Sequence, residues 1–228
     1  RMEIDKIVNS LIRSARQKIA VIYQDDAFGK DGLLSAEAAL KQHGLKPVAI
    51  ATVQRNSAQI NPALRVLEKA QPNAVIIIST YVSSAALSRA LLQKNIKARI
   101  MNVSFVGTRA LENSLPVGQA NGIGVSQVVP FPWDRWIPVV ADYQRLMRVN
   151  NSSARFGFTS LEGFMAARLI TEGIKNVQGP LTREALITSL KSIKKVDLGG
   201  FQLDLSSNNK QASDYVELTF FGAQQWEP

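Results

Sequence analysis

Short apolar runs alternate with amphipathic stretches along the first half of the chain. Solid apolar runs at residues 19–23 and 74–78 predict strands that are buried on both faces. Further strand patterns lie at residues 47–53, 99–103 and 123–129. Apolar residues at helical spacing predict helices over residues 4–17, 31–42, 61–70 and 83–93, and a short helix at 108–113. Strands and helices that alternate in this way are typical of an α/β fold with a doubly wound, mostly parallel sheet.

The second half of the chain follows a different pattern. Pro130, Pro132 and Pro138 interrupt an irregular segment that also carries Trp133 and Trp136, and we interpret this segment as a crossing between domains. Helices are predicted at residues 138–149, 159–176 and 182–193, with no strand between them. The β-rich segments 198–205 and 214–221 flank a polar turn that contains Asn208 and Asn209, and they predict a terminal β-hairpin.

Composition narrows the classes of protein. The 228 residues are 46% hydrophobic and 20% charged, as in ordinary soluble globular proteins. The chain has no Cys and one His, which excludes disulfides and thiolate metal sites, and no metal or other cofactor is expected. The apolar runs are too short to span a membrane. Arg1 is not a natural start, so we expect that an upstream segment is absent.

The formal charge of +9 raises nucleic acid as a partner. However, the basic residues are scattered as single charges along predicted helices and do not form a stripe interleaved with aromatic residues. We therefore predict a solvated basic surface and no binding of nucleic acid.

No pattern of an enzyme is visible. The chain lacks a nucleophile elbow and both glycine-rich nucleotide motifs, and His43 ends a predicted helix without a Ser or Asp partner. Asp25 and Asp26 are adjacent, so their side chains point in different directions, and helix capping is favoured over a metal or acid/base pair. An α/β enzyme remains an alternative that a convergent nucleophile and base would favour.

The candidate binding residues follow the predicted strands. Ligands of parallel α/β sheets bind outside the carboxyl ends of the strands, so loop 23–29 and the residues after 74–78 are candidates. Tyr81 combines a hydrogen-bonding phenol with a ring that buries area, and Ser79 and Thr80 either bind the ligand or cap the next helix. Gln127 offers an amide in the crossing, while Glu162 lies at a helix start, where the helix dipole favours a carboxylate without any ligand.

Several motifs resemble a known family. The segments YQDDAFGKDG, SFVGTRAL, VSQVVPFPW, TSLEGF, DLGGFQLDLS and DYVELTFFG are similar to those of type I periplasmic binding proteins, in the same order, and closest to the branched-chain amino-acid-binding branch. The resemblance implies a periplasmic or membrane-associated protein without catalytic activity. Its two lobes would close around a small solute by hinge bending near residues 116–132 and 195–200, and it would then dock on the membrane permease of an ABC importer. A ligand-sensing domain of a receptor or regulator has the same fold and stays an alternative.

The resemblance also assigns roles to residues. It implies that Phe28 packs on the ligand and that Tyr81 contacts it. Ser104, followed by Phe105, stands where amino-acid binders place an acidic residue against the ligand's ammonium group. An aromatic or aliphatic carboxylic acid, or an amide, therefore fits as well as an amino acid, unless Glu162 or Asp26 supplies the charge.

The resemblance implies a domain organisation as well. Residues 1–124 would form the second ligand-binding lobe, 125–195 the crossing and the returning helices of the first lobe, and 196–228 the crossing back with the terminal hairpin. The strands of the first lobe would lie upstream of Arg1, and the chain would then be a fragment.

Overall fold

The computed structural model describes residues 1–206 and 211–222, so the predicted turn at Asn208 and Asn209 lies outside the described residues. The chain divides into two compact units. The first unit contains Arg1–Val128 and Val216–Pro228, and the second contains Val129–Tyr215. The chain therefore leaves the first unit after Val128 and returns to it at Val216.

Within the described residues, the elements alternate as the apolar pattern predicts. The strands are β1 (Ile19–Gln24), β2 (Ala49–Val53), β3 (Ala74–Ile78), β4 (Arg99–Asn102), β5 (Gly124–Gln127), β6 (Lys195–Asp197), β7 (Gln202–Asp204) and β8 (Glu217–Phe220). The helices are α1 (Met2–Arg13), α2 (Ala27–Lys41), α3 (Asn61–Ala70), α4 (Tyr81–Gln93), α5 (Thr108–Asn113), α6 (Pro138–Asn150), α7 (Phe158–Lys175) and α8 (Arg183–Ser192). No helix in residues 1–206 or 211–222 is both long and apolar enough to cross a membrane.

The first unit is built on one six-stranded sheet of order β2-β1-β3-β4-β5-β8. The first five strands in this order are parallel, and β8 pairs with β5 in the antiparallel sense. Every residue of β3 is buried, and so are all residues of β1 except Tyr23. The predicted α/β fold with a mostly parallel, doubly wound sheet is confirmed.

Two apolar layers cover the faces of this sheet. On one face, α1 buries Ile4, Ile7, Val8 and Leu11, which recur at the spacing of one helix stripe. They pack in a cluster with residues of α2 and with alternate residues of β1 and β3, such as Val21. Residues of α3 and α4 cover the other face. Burial of each aliphatic side chain contributes about 1.5–3 kcal/mol to the free energy of unfolding. Both layers therefore stabilise the position of the strands.

The second unit contains α6, α7 and α8 and the two-stranded sheet β6-β7. The ring of Tyr143 is fully buried, with its centroid 5.6 Å from that of Phe156 and 5.8 Å from that of Phe164. The Tyr143 hydroxyl also accepts a hydrogen bond from the backbone nitrogen of Gly157 at 3.0 Å. This aromatic cluster joins α6 to the start of α7.

The terminal hairpin predicted between residues 198–205 and 214–221 is wrong. β7 pairs with β6, and β8 pairs with β5 in the first unit. The turn between β6 and β7 explains the first pairing, because Asp197 Oδ1 accepts hydrogen bonds from the nitrogens of Gly199 and Gly200, both of which have positive φ. Residues 195–200, predicted as a hinge crossing, therefore form strand β6 and the start of the turn after it, inside the second unit.

Candidate functional site

The carboxyl ends of four parallel strands meet at one edge of the first unit's sheet, which we call the carboxyl edge. Tyr23 of β1 pairs with Ile78 of β3, and Asn102 of β4 pairs with Val125 of β5. The segments that follow these strands contain most of the residues that the sequence singled out.

Asp26 fixes the first of these segments. Its Oδ1 accepts a hydrogen bond from the Gly29 nitrogen at 2.9 Å, and its Oδ2 accepts one from the Gln24 amide at 2.5 Å. These bonds, the Gly29 bond first, hold the pKa of the Asp26 carboxyl below its ordinary value of 3.8. Because Asp26 caps the helix, α2 begins at Ala27 and not at residue 31. Phe28 and Gly29, expected in a loop, therefore lie in the first turn of α2.

Close packing reinforces this arrangement. A Cβ atom on Gly29 would lie 1.9 Å from the carbonyl oxygen of Gln24, so only glycine fits where α2 starts against the end of β1. The backbone next to Phe28 is thus held against the end of β1.

Phe28 and Phe105 come together at the carboxyl edge. Their ring centroids are 4.6 Å apart with a 46° angle between the planes. Phe28 is 39% exposed and Phe105 is 50% exposed, although each would gain from burial. A pair of exposed aromatic rings at the end of buried strands is an apolar surface suited to a bound molecule.

Tyr81 adds a third exposed ring at this edge. It is the first residue of α4, which starts two residues earlier than predicted, and it is 41% exposed. It follows β3, the strand between β1 and β4. Ser79 and Thr80 precede it, and neither makes a side-chain cap of α4.

Three side-chain oxygens at the carboxyl edge are buried without a hydrogen-bond partner among the described residues. They are Gln24 Oε1, Ser79 Oγ and Thr80 Oγ1. An unpaired buried polar atom costs about 1–3 kcal/mol, so such a cluster is unusual in a region that only has to be stable.

Ser104 is held by a residue that the sequence did not indicate. Ser104 begins a short 3-10 turn, Ser104–Val106, and its backbone nitrogen donates to Glu3 Oε2 at 2.8 Å. The hydroxyl of Ser126 in β5 donates to the same oxygen at 2.5 Å. The carboxylate of Glu3, from the first turn of α1, therefore lies beside the position where the sequence lacks an acidic residue. No local pattern predicts this contact, because 101 positions separate the two residues.

Gln127 ends β5 at the same edge, but its amide is already used. Its side-chain nitrogen donates to Thr108 Oγ1 and to Thr219 Oγ1, both at 2.9 Å, and the residue is 2% exposed. The two N–H groups of the amide thus join β5, α5 and β8, which assigns Gln127 a structural role in the first unit.

Glu162 is placed differently from the other candidates. It lies on α7 in the second unit, and it is exposed. The residues that the structure brings to one edge are therefore Phe28, Ser79, Thr80, Tyr81, Ser104 and Phe105. Across the described parts of the chain, no group of three or more His, Asp or Glu side chains is arranged to hold a metal ion.

Comparison with known proteins places this geometry in a family. A family model described as periplasmic binding protein matches residues 1–220. No curated protein sequence matches the chain significantly.

Solved structures agree with the family match. A structure of a possible leucine/isoleucine/valine-binding protein from Rhodopirellula baltica SH 1 is 31% identical, covers 97% of this chain and superposes with a TM-score of 0.91. A substrate-binding periplasmic protein from Ralstonia solanacearum is 28% identical over 97% of this chain, with a TM-score of 0.90. An extracellular ligand-binding receptor from Verminephrobacter eiseniae ef01-2 is 26% identical over 97% of this chain, with a TM-score of 0.85. This chain spans 62% of the first of these proteins and 63% of the other two.

Proposed function

The chain belongs to the periplasmic binding protein family, and we propose that it acts as the extracytoplasmic solute-binding component of an ABC importer. The resemblance seen in the sequence is thereby confirmed at the level of the family. In this proposal the protein binds a small organic solute at the carboxyl edge, does not alter it, and presents it to a membrane permease. The chain spans 62% and 63% of the first two solved relatives, so the transport role of such a complete protein belongs to the proposal.

The exposed aromatic pair carries the proposal. Phe28 and Phe105 stand at the ends of two different strands, with centroids 4.6 Å apart, and Tyr81 follows the strand between them. A ligand that covers these rings would bury apolar area at about 25 cal/mol per Å². Accessible polar groups at the same edge, the phenol of Tyr81 and the hydroxyl of Ser104, would select its orientation.

The class of ligand follows from the charges at this edge. The Rhodopirellula baltica relative is described as a possible leucine/isoleucine/valine-binding protein, which supports an amino acid. An ammonium group needs a carboxylate, and Glu3 lies next to Ser104. Aromatic and aliphatic carboxylic acids and amides remain the other members of the proposed class, because Ser104 itself carries no charge.

The proposed transport cycle depends on differential affinity. A solute that contacts both lobes binds the closed arrangement more tightly than the open one, and it shifts the population by that difference. The closed form is then the form that the permease recognises.

A thermal-shift screen tests the binding step. Leucine, isoleucine, valine, aromatic and aliphatic acids and their amides would be added separately, since a ligand at 100 times its Kd adds about 2.7 kcal/mol to stability. We expect a member of this panel to raise the unfolding temperature. Phe28→Ala and Phe105→Ala should each raise the Kd of that ligand about tenfold, which corresponds to a loss of about 1.4 kcal/mol of binding free energy.

Leu34→Ala is the matched control. Leu34 is a large apolar residue on α2, is 65% exposed, and is not at the start of the helix. Its replacement should leave the Kd unchanged. If the bound solute carries an ammonium group, Glu3→Gln should also weaken its binding, whereas a solute with only a carboxylate should bind Glu3→Gln at least as tightly as the wild type, because a like charge has been removed. Chemical conversion of the bound solute, followed by chromatography, would contradict the proposed role.

A further inference from the structure

A cavity lies at the edge of the first unit's sheet opposite the carboxyl edge. It has a volume of about 390 Å³, within the range of about 300–1,000 Å³ that is usual for small-molecule sites. The residues before β4 and before β5 form most of its wall, together with Arg16 from the segment between α1 and β1. We call it the amino-edge cavity.

The lining of the amino-edge cavity is strongly basic. Arg16, Lys97 and Arg99 contribute three cations, and the lining contains no carboxylate. Among the described residues, none of these three cations forms an ion pair, although seven such pairs exist elsewhere. Gln119 and Asn121 add side-chain amides to the same wall. Like charges that share a cavity repel each other, so a bound anion would stabilise this arrangement.

Arg99 is held in place as a donor. One of its terminal nitrogens donates to the Gly122 carbonyl oxygen at 2.7 Å, and its guanidinium lies 5.5 Å from the centre of the Phe220 ring. Gly122 has a φ of +79°, and a Cβ there would lie 3.3 Å from the Arg99 nitrogen. A guanidinium carries five N–H donors in a fixed plane, so this anchoring leaves further donors in a defined orientation.

We infer that the amino-edge cavity binds a small multivalent oxyanion that carries phosphate or carboxylate groups. The planar donors of Arg99 suit two oxygens of one such group, and Lys97 and Arg16 neutralise the remaining charge. Ile100 and Ile123 give the cavity an apolar side, which suits a compact organic anion. This site is separate from the carboxyl edge and does not depend on the solute bound there.

Isothermal titration with pyrophosphate, and separately with citrate, tests the inference. Both titrations are run at constant ionic strength so that screening by salt is the same. We expect saturable binding of at least one of the two anions. Binding of pyrophosphate alone assigns phosphate chemistry, and binding of citrate alone assigns carboxylate chemistry.

Charge reversal locates the binding. Lys97→Glu, at an exposed position in a loop, should raise the Kd about tenfold or more, and Arg16→Glu should do the same. Lys69→Glu is the matched control, because Lys69 is exposed on α3 and does not line the cavity. The Kd of the anion for Lys69→Glu should equal its Kd for the wild type. The inference is overturned if neither anion binds, or if Lys69→Glu weakens binding as much as Lys97→Glu.

Discussion

Single carboxylates organise the carboxyl edge. Asp26 joins the end of β1 to the start of α2 through Gln24 and Gly29. Glu3 joins α1 to the turn after β4 and to β5 through Ser104 and Ser126. Asp26 stands two residues before Phe28, and Ser104, which Glu3 holds, stands one residue before Phe105. The backbone next to each exposed ring is therefore held by a carboxylate.

Asp26 gives a pH-dependent prediction. Its pKa is lowered in the folded protein, so its carboxylate contributes stability above pH 3.8, and this contribution is lost as the pH falls through the folded-state pKa. Asp26→Asn keeps a capping oxygen but loses the charge. We expect the wild type to melt at a higher temperature than Asp26→Asn near neutral pH, and the difference to shrink below pH 3.8.

Thermal unfolding followed by circular dichroism between about pH 7 and about pH 3 measures this difference. Asp26→Ser, which also caps without a charge, should behave like Asp26→Asn. A difference in melting temperature that stays constant over this range would show that the charge of Asp26 plays no part.

The helices differ in how closely their backbones pack against neighbouring atoms. Two helical glycines, one tightly packed and one open, illustrate this difference. Gly29 lies in the first turn of α2, directly against the backbone of Gln24. Gly163 lies in α7, and a Cβ there would have no atom within 4 Å. The same substitution should therefore have opposite effects at these positions.

Gly29→Ala and Gly163→Ala form a matched pair. Gly29→Ala should lower the free energy of unfolding by about 3 kcal/mol or more, because the new methyl group collides with backbone atoms that cannot rotate away. Gly163→Ala should raise it by about 0.5–1 kcal/mol, since alanine has the higher helix propensity. Urea denaturation measures both changes. A neutral Gly29→Ala would mean that α2 starts elsewhere.

The sequence predicts some of these elements well and others poorly. Buried parallel strands such as β3 are solid apolar runs, so they and the helices between them are visible directly. The residues that end up at the carboxyl edge, Phe28, Tyr81 and Ser104 among them, follow from where those strands stop. The pairing of β8 does not follow, because a β-rich pattern specifies a strand but not its partner. Glu3 was missed for the same reason: its contacts are with residues that are distant along the chain.

Strand β8 completes the six-stranded sheet of the first unit. β8 supplies the outer edge of the first unit's sheet although it comes after the entire second unit in the chain. Besides the ladder with β5, Thr219 accepts a hydrogen bond from Gln127 at 2.9 Å and donates one to the Val125 carbonyl at 3.2 Å. The stability of the first unit therefore depends on residues at the other end of the sequence.

Truncation tests this dependence. A chain that ends at Tyr215 lacks β8, leaves unpaired the backbone groups of β5 that face away from β4, and exposes an edge to other chains. We expect it to unfold at a lower temperature and to form soluble aggregates detectable by light scattering. A chain that ends at Gly222 keeps β8 and serves as the reference. Equal melting temperatures for the two chains would contradict the structural role of β8.

The position of β8 also affects how the protein is made. A ribosome adds about 5–20 residues per second, so synthesis of Val129–Tyr215 separates the emergence of β5 from that of β8 by on the order of several seconds. During this interval the nascent first unit has an unpaired strand at its border, and a neighbouring nascent chain on the same messenger could pair with it. Protection of this border until β8 has emerged would therefore raise the yield of folded protein.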